Sequence, residues 1–474
     1  MATLDQPRFA REAWIPLLAG IAWLWMGAAD GFIGFLFAAA PGLLLLTSGG
    51  AWLLWPGDPR MQQTAALGGV VGVLFSLPAL LPLSFAGVIV LAALSAVSFV
   101  AAGTASLRRE EVVDEVPAPR PTLGLAAKVA GDDALLGMMG LAVPILGGAD
   151  ARVIAREAEE ARELFEARGW LEKPTEYHAQ PLPLEAPRIA QESTRGRGGT
   201  ISFEHLSFES EYEPRSEEPG RGRWLSYAAN RTAHAWVLRH RSGPRPWLVC
   251  IHGYQMGSPL IDLGAFEPRF FHEKLGLNLV VPTLPLHGRR KHGRISGDGY
   301  LSGSLLDTVH AEAQAMWDIR RLLSWVRAQG APAVGVHGLS LGGYNTALLA
   351  SLDDDLACAI PGIPAVDFGR LLWEHMSESQ VRDMENAGLT RKLANEVLRV
   401  VSPLAVEPKV PHAHRAIFGG VADRLVPAEQ VRDLWLHWQK PEIVWYQGAH
   451  ITFMLDPRVR ELVERTVRGA GLAA

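Results

Sequence analysis

Three residues of this chain have the types and surroundings for nucleophilic chemistry: Ser340, Asp423 and His450. Ser340 sits in Gly338-Leu339-Ser340-Leu341-Gly342, between the apolar run Val334-Gly335-Val336-His337 and a helical stretch from Gly343 to Leu349. A strand, a tight turn and a helix in that order force the serine into strained backbone. Flanking glycines make room for it, and the hydroxyl emerges at the helix N-terminus. In a glycine-rich chain the five-residue pattern alone is weak, and it is the flanking strand and helix that give it weight. A neutral hydroxyl is a poor nucleophile, so it needs a base within hydrogen-bond reach and a carboxylate to orient that base. Downstream, Phe418-Gly419-Gly420-Val421-Ala422-Asp423 ends an apolar run in a glycine turn that aims Asp423 outward. Ile443-Val444-Trp445-Tyr446-Gln447-Gly448-Ala449-His450 repeats the device with His450. Asp367, past another apolar run, is the competing acid. His252, His287 and His337 also stand at run ends, where packing or positioning suits them better than the role of base. His412 and His414 have no carboxylate or cysteine at metal-ligand spacing, so no metal site is expected.

The elements that must position these residues follow from the pattern of short apolar runs at 201–208, 232–239, 247–251, 278–282, 334–338, 357–361, 415–420 and 442–447. Helical stretches lie between them, clearest at 308–328, 341–352, 428–438 and 456–468, an alternation that predicts an α/β domain with a largely parallel sheet. The turn at Ser340, the strand-end Asp423 and the Gly-x-His at 448–450 come in the chain order Ser, Asp, His. With these features residues 230–470, about half the chain, resemble the α/β-hydrolase superfamily. The resemblance implies an eight-stranded, mostly parallel sheet flanked by helices. It makes Ser340 the nucleophile, His450 the general base and acid, and Asp423 the group that orients His450. His252-Gly253-Tyr254 matches the family's oxyanion loop, without the multiple-glycine form of some esterases, so the backbone N–H groups of Tyr254 and Leu341 would hold the oxyanion. Such chemistry requires no cofactor. The fifty-odd residues 362–411 resemble a small lid. The cationic stretch Leu286–Arg294 lies on the same rim, making His252, His287, Arg289 and Arg290 candidate contacts to an anionic substrate or to anionic lipid.

The other end of the chain is of a different kind. Charged residues make up only 20% of the 474, and the deficit is concentrated: within residues 13–105 only Asp30, Asp58 and Arg60 are charged. That distribution excludes a disordered chain, a nucleic-acid binder and an ordinary soluble enzyme. Four apolar stretches, about 13–29, 31–55, 64–82 and 84–105, each approach the roughly 20 residues that cross a bilayer as a helix. Arg8 and Arg11 before the first, Arg60 between the second and third, and Arg108 and Arg109 after the fourth contrast with two cation-free turns. The positive-inside rule then puts both chain ends in the cytoplasm. The competing reading of 13–29 is a signal peptide cleaved after Gly27-Ala28-Ala29. No ionisable residue lies mid-span, which favours an anchor over a transport pathway. Residues 110–199 read as a linker, with Pro117, Pro119 and Pro121 extended, an apolar segment 134–146 that lies in the interface or docks, and a charged solvated helix at 150–169. Cys250 and Cys358 sit in apolar runs as packed thiols rather than a disulfide.

The expectation is therefore an integral protein of the inner (cytoplasmic) membrane: residues 1–109 anchor it, and a hydrolase domain, 200–474, faces the cytoplasm. Its substrate class is a small-molecule or lipid-derived ester or thioester, with no nucleic-acid partner. Two alternatives stay open: a peptidase or amidase of the same fold, and a catalytically idle module supporting a membrane protein.

Overall fold

The computed structural model describes residues 10–142, 150–196 and 199–473. They fall into two compact units. One holds the chain through Ala142 together with Gly420–Ala428 and Trp445–Asp456, and the other holds the rest.

The first unit is built on α1 (Trp14–Ala29), α2 (Gly31–Leu54), α3 (Pro59–Ala79), α4 (Phe85–Leu107) and α5 (Leu123–Ala142). Asp58 starts α3 by accepting the Arg60 N–H at 3.0 Å, with Pro59 supplying a helix-ready φ behind it, and Ser84 caps α4 through the Gly87 N–H at 3.2 Å. Small residues let the helix backbones approach closely: a Cβ on Gly69 would stand 2.8 Å from Ser95 O. Trp23 Nε1 donates to Ser95 Oγ at 3.0 Å, satisfying a buried polar pair across α1 and α4. Outward, Trp25, Phe32, Leu77, Leu81 and Phe85 are exposed, a surface that water would penalise and hydrocarbon would not. Arg11–Ala29, Gly31–Leu54 and Phe85–Leu107 are each long and apolar enough to cross a membrane. The third expected span, 64–82, lies largely in α3, whose first turns carry Arg60, Gln62, Gln63 and Thr64. This helix is less apolar and is not among the three.

Charged groups gather at one end of the helices. Arg108 pairs with Glu12, and Arg109 donates to Pro56 O, which brings residues 12, 56–60 and 107–110 together. α5 follows from there. It extends the apolar segment expected at 134–146 back to Leu123, and residues 143–146 lie outside those described. Val129 and Leu125 pack with Leu107, Val421 and Ala422.

The second unit carries α6 (Ala151–Ala167), which buries Ile154, Ala158, Ala161 and Phe165 along one stripe. It is not the fully solvated helix expected at 150–169, because the opposite face of each turn is charged while this one packs. Glu157 pairs with Arg223 at 2.7 Å, and Arg223 in turn with Asp307 at 2.9 Å.

The sheet has nine strands: β1 (Arg188–Gly196), β2 (Gly199–Glu209), β3 (Thr232–Leu238), β4 (Trp247–Ile251), β5 (Asn278–Thr283), β6 (Val334–Leu339), β7 (Cys358–Gly362), β8 (Ala416–Gly420) and β9 (Glu442–Tyr446), in the order β1-β2-β3-β5-β4-β6-β7-β8-β9. β1, β2, β3 and β5 are joined antiparallel, while β5, β4, β6, β7 and β8 run parallel. β4 and β6 are wholly buried, as their runs of apolar residues require of strands covered on both faces. The helices that follow are the short α7 (Arg221–Leu225) and α8 (Pro259–Ala265), then α9 (Leu305–Ala328), α10 (Leu341–Leu352), α11 (Phe368–His375), α12 (Glu378–Asn386), α13 (Arg391–Leu398), α14 (Ala428–His437) and α15 (Pro457–Gly469). A mostly parallel sheet flanked by helices, with a serine turn after its central strand, is the α/β-hydrolase fold. Eight strands answer to the eight apolar runs. β1 is additional and lies in the stretch read as linker, so the sheet begins before residue 200.

Candidate active site

Ser340 occupies the turn between β6 and α10 with φ 58° and ψ −114°, a left-handed conformation that costs a non-glycine residue of order 1–3 kcal/mol. Backbone bonds hold it there: Ser340 N–H donates to Gly362 O at 2.9 Å, and Tyr344 N–H to Ser340 O at 3.0 Å. Gly342 is required because a Cβ at that position would collide with Ile251 O and His252 O at the end of β4. A Cβ on Gly253 would lie 3.5 Å from the Ser340 Cβ, so the His252-Gly253-Tyr254 turn runs alongside the serine. Leu341 is the first residue of α10, where helix N–H groups have no acceptor within the helix. Ser340, Tyr254 and Leu341 therefore all belong to one neighbourhood of the second unit.

Asp423 and His450 belong to the first unit. Past β8 the chain stays paired, with Val421 N–H donating to Tyr446 O and Ala422 N–H to Gly448 O, both at 3.1 Å, which brings the two strand ends side by side. Asp423 Oδ1 accepts the N–H groups of Leu425 at 3.0 Å and Val426 at 2.9 Å. Its Oδ2 accepts His450 Nδ1–H at 2.7 Å, and the carboxylate is fully buried. With the Nδ1 proton committed to Asp423, Nε2 is the nitrogen of the neutral ring that is open to take a proton. Burial opposes charging of His450, yet the charge and hydrogen bond of Asp423, joined by the charge of Asp132, win and hold its pKa above the usual histidine value.

The remaining candidates have structural employment. Asp367 caps α11 by accepting the Arg370 N–H at 2.8 Å. His252 is buried with Nδ1 on Gly253 O at 2.8 Å and Nε2 accepting the Leu284 N–H at 3.0 Å, so both ring nitrogens are spent on fixing the turn. His287 is buried with Nδ1 on Pro285 O at 2.8 Å, and desolvation first, then the neighbouring His252, pushes its pKa well below the ordinary value. His337 is likewise interior, bonded through Nδ1 to Ile360 O, with a pKa lowered by burial to about 4. Arg290 corrects the sequence expectation outright. It is 1% exposed, donates to Thr283 O and Asn230 O, and pairs with Asp318 at 2.8 Å, so it is a core cation rather than a substrate contact. Arg289 is half exposed and pairs with Glu192 at 2.8 Å on β1, a partner absent from the sequence reading because β1 itself was.

One group near His450 has no counterpart in the sequence reading. Asp132, on α5, is fully buried, and its Oδ2 accepts the His450 backbone N–H at 2.7 Å and the Arg424 backbone N–H at 3.0 Å. Beside it Asp133 accepts the Ser106 hydroxyl at 2.5 Å and pairs with the Arg424 guanidinium at 3.5 Å, which also reaches Glu110 at 2.5 Å. Lys128 and Arg120 bond Gln447. A signal existed: Asp132 and Asp133 are the two carboxylates between Glu115 and Asp150, adjacent and set in an apolar helix. Among the described residues no cluster of three or more His, Cys, Asp or Glu has the geometry to hold a metal ion.

No family model matches the chain. It is 44% identical over 361 residues to Uncharacterized protein MT2702 of Mycobacterium tuberculosis (strain CDC 1551 / Oshkosh), a match that covers 76% of this chain and 86% of that one. The same figures hold for Uncharacterized protein Rv2627c of Mycobacterium tuberculosis (strain ATCC 25618 / H37Rv). Among solved structures, an acetyl xylan esterase from Paenibacillus sp. R4 aligns with a TM-score of 0.44 at 15% identity, over 63% of this chain and 98% of that one. A Pyrococcus horikoshii acylaminoacyl peptidase aligns at 0.36 and 16% identity, over 60% and 41%.

Proposed function

We propose that this chain, which belongs to the same family as the Mycobacterium tuberculosis proteins MT2702 and Rv2627c, is a membrane-anchored serine hydrolase cleaving a carboxylic ester or thioester. The observation that carries the reading is the buried Asp423–His450 hydrogen bond at 2.7 Å, paired with a serine held in strained backbone at the elbow. The reading requires His450 Nε2 to reach the Ser340 hydroxyl. His450 takes the Ser340 proton as Oγ attacks the acyl carbon, and the carbonyl electrons move onto the oxygen. The N–H groups of Tyr254 and Leu341 receive that oxyanion, stabilisation whose loss typically costs a hundredfold or more. The imidazolium then protonates the departing alcohol or thiol, and a water activated by the same nitrogen hydrolyses the acyl-serine. The substrate class follows from location: an enzyme fixed to a bilayer meets amphiphilic, lipid-derived acyl groups, over which α11 to α13 form the lid. The apolar helices with their exposed hydrocarbon-like surface support the anchor, and their cation-bearing end is the cytoplasmic one.

Ser340→Ala is expected to abolish labelling by a fluorophosphonate probe and turnover of short acyl esters while the protein still purifies folded. Labelling that persists would assign the nucleophile elsewhere. Turnover of acyl-peptide but not acyl-ester panels would make the protein a peptidase.

A further inference from the structure

We propose that Asp132, on a helix that precedes the whole hydrolase sheet, is a positioning residue for the Asp423–His450 pair. It would pin the two strand-end segments that carry them. This inference rests on the hydrolase reading only for its kinetic consequences.

The geometry is specific. A single carboxylate oxygen receives the backbone N–H of His450 itself and of Arg424, the residue after Asp423. The donors come from two chain segments that are otherwise joined here by two backbone bonds, Val421 to Tyr446 and Ala422 to Gly448. Bridging them at the positions that bear the chemistry fixes the separation of the acid and the base. The other oxygen, Oδ1, is buried without a hydrogen-bond partner, a costly arrangement for a residue whose work is only to fill space. Side-chain volume would be supplied more cheaply by asparagine or leucine.

The position of Asp132 is itself secured. Asp133 holds the Arg424 guanidinium, Glu110 holds it from the other side, and Lys128 Nζ donates to Gln447 O at 2.9 Å, three residues before His450. Apolar packing of Leu125, Val129, Val421 and Ala422 closes the same interface. The ionisable groups that interact with the Asp132 carboxyl are Asp423, His450 and Tyr446, and Arg424 donates its backbone N–H to it. A negative charge at Asp132 stabilises the His450 imidazolium, and burial, then Asp423, lifts the pKa of Asp132 itself to about 7, so that charge is present on the alkaline side of neutrality.

The test uses the full chain in detergent micelles. Asp132→Ala removes both acceptor and charge, whereas Asp132→Asn keeps an acceptor for the two amides and removes only the charge. For each protein, kcat and KM are measured against an acyl ester per fluorophosphonate-reactive site, across pH. Amide hydrogen exchange is followed in peptides covering 420–428 and 445–456. Asp132→Ala is expected to lower kcat by about tenfold or more with KM within about twofold, and to speed exchange in both peptides. Asp132→Asn is expected to restore most of kcat and to keep the amides protected, but to move the acid limb of kcat/KM to lower pH. Wild-type kcat per site and wild-type exchange in the alanine variant would overturn the proposal, as would loss of activity in both variants with the acid limb unmoved. If wild-type protein itself neither labels nor turns over, the hydrolase reading fails. The exchange measurement then still decides whether Asp132 pins the two segments.

Discussion

A buried carboxylate with a raised pKa makes stability depend on pH in a definite direction. Asp132 is lifted to about 7, by burial first and the charge of Asp423 second, so between about pH 4 and 7 the folded chain holds a proton that the unfolded chain releases. Its contribution is therefore most favourable below pH 4 and declines as pH rises through 7. His450, also raised, pulls the same way above its ordinary value near 6.5. Thermal unfolding measured from pH 5 to 8 is expected to show a falling Tm, and Asp132→Asn should flatten that slope. A flat wild-type profile would contradict the burial of a titrating acid there. In catalysis, Asp423→Asn should lose several orders of magnitude in kcat, because the amide holds the wrong imidazole tautomer, while the fold persists. At this scale the sequence singles out Ser340, Asp423 and His450 by a local signature, an apolar run and a glycine turn before each, and of these the structure joins Asp423 to His450 by a hydrogen bond. Arg290 could not be read, because an arginine in a basic stretch reads as solvated unless one knows that Asp318 on α9 waits for it in the core. Asp132 stands out in the sequence only as a carboxylate in an apolar helix, because its meaning depends on two amides about three hundred residues away.

Helices and strands were legible where burial imposes a simple pattern. The parallel strands are buried on both faces, so they appear as unbroken apolar runs, and β4 falls on its expected residues. β1 (Arg-Ile-Ala-Gln-Glu-Ser-Thr-Arg-Gly) is a mostly exposed edge strand, held by pairing with β2 and not by a core, and an edge of that kind carries no apolar alternation. The elbow makes an element-scale prediction. Gly342→Ala would drive a methyl into the carbonyls that end β4, so either α10 shifts or the turn relaxes. The expected result is a loss of several degrees in Tm and of fluorophosphonate labelling together, measured on the same preparation. Unchanged labelling at unchanged stability would mean that the close approach of α10 to β4 is not needed. In the helical unit, α3 differs from its neighbours in having a polar start, yet Val73, Leu74 and Leu77 present the same kind of exposed apolar face. If it crosses the bilayer, cysteines introduced as Gly57→Cys and Pro82→Cys will lie on opposite sides and react with an impermeant maleimide in opposite senses. Equal reactivity would leave α3 on one side.

At the scale of the molecule, the chain joins an apolar helical unit to a hydrolase fold. The positive-inside pattern leads us to expect the cation-bearing end, with Arg60, Arg108 and Arg109, in the cytoplasm. A cysteine appended at the C-terminus should then resist an impermeant maleimide in intact cells and react once the membrane is opened. Cys250 and Cys358 are both buried and add no background. Rapid labelling in intact cells would reverse the orientation.

The packing of Leu125 and Val129 on Val421, Ala422 and the partly buried Trp445 has a practical corollary for anyone wishing to truncate the chain. A fragment beginning at residue 150 would keep every strand and Ser340, Asp423 and His450, yet it would uncover an oily patch beside the loop bearing His450 and strand the amides of Arg424 and His450 without their acceptor. Such a fragment is expected to aggregate or to be sluggish, and adding back residues 110–142 should cure it, so a workable boundary lies before α5 rather than after it.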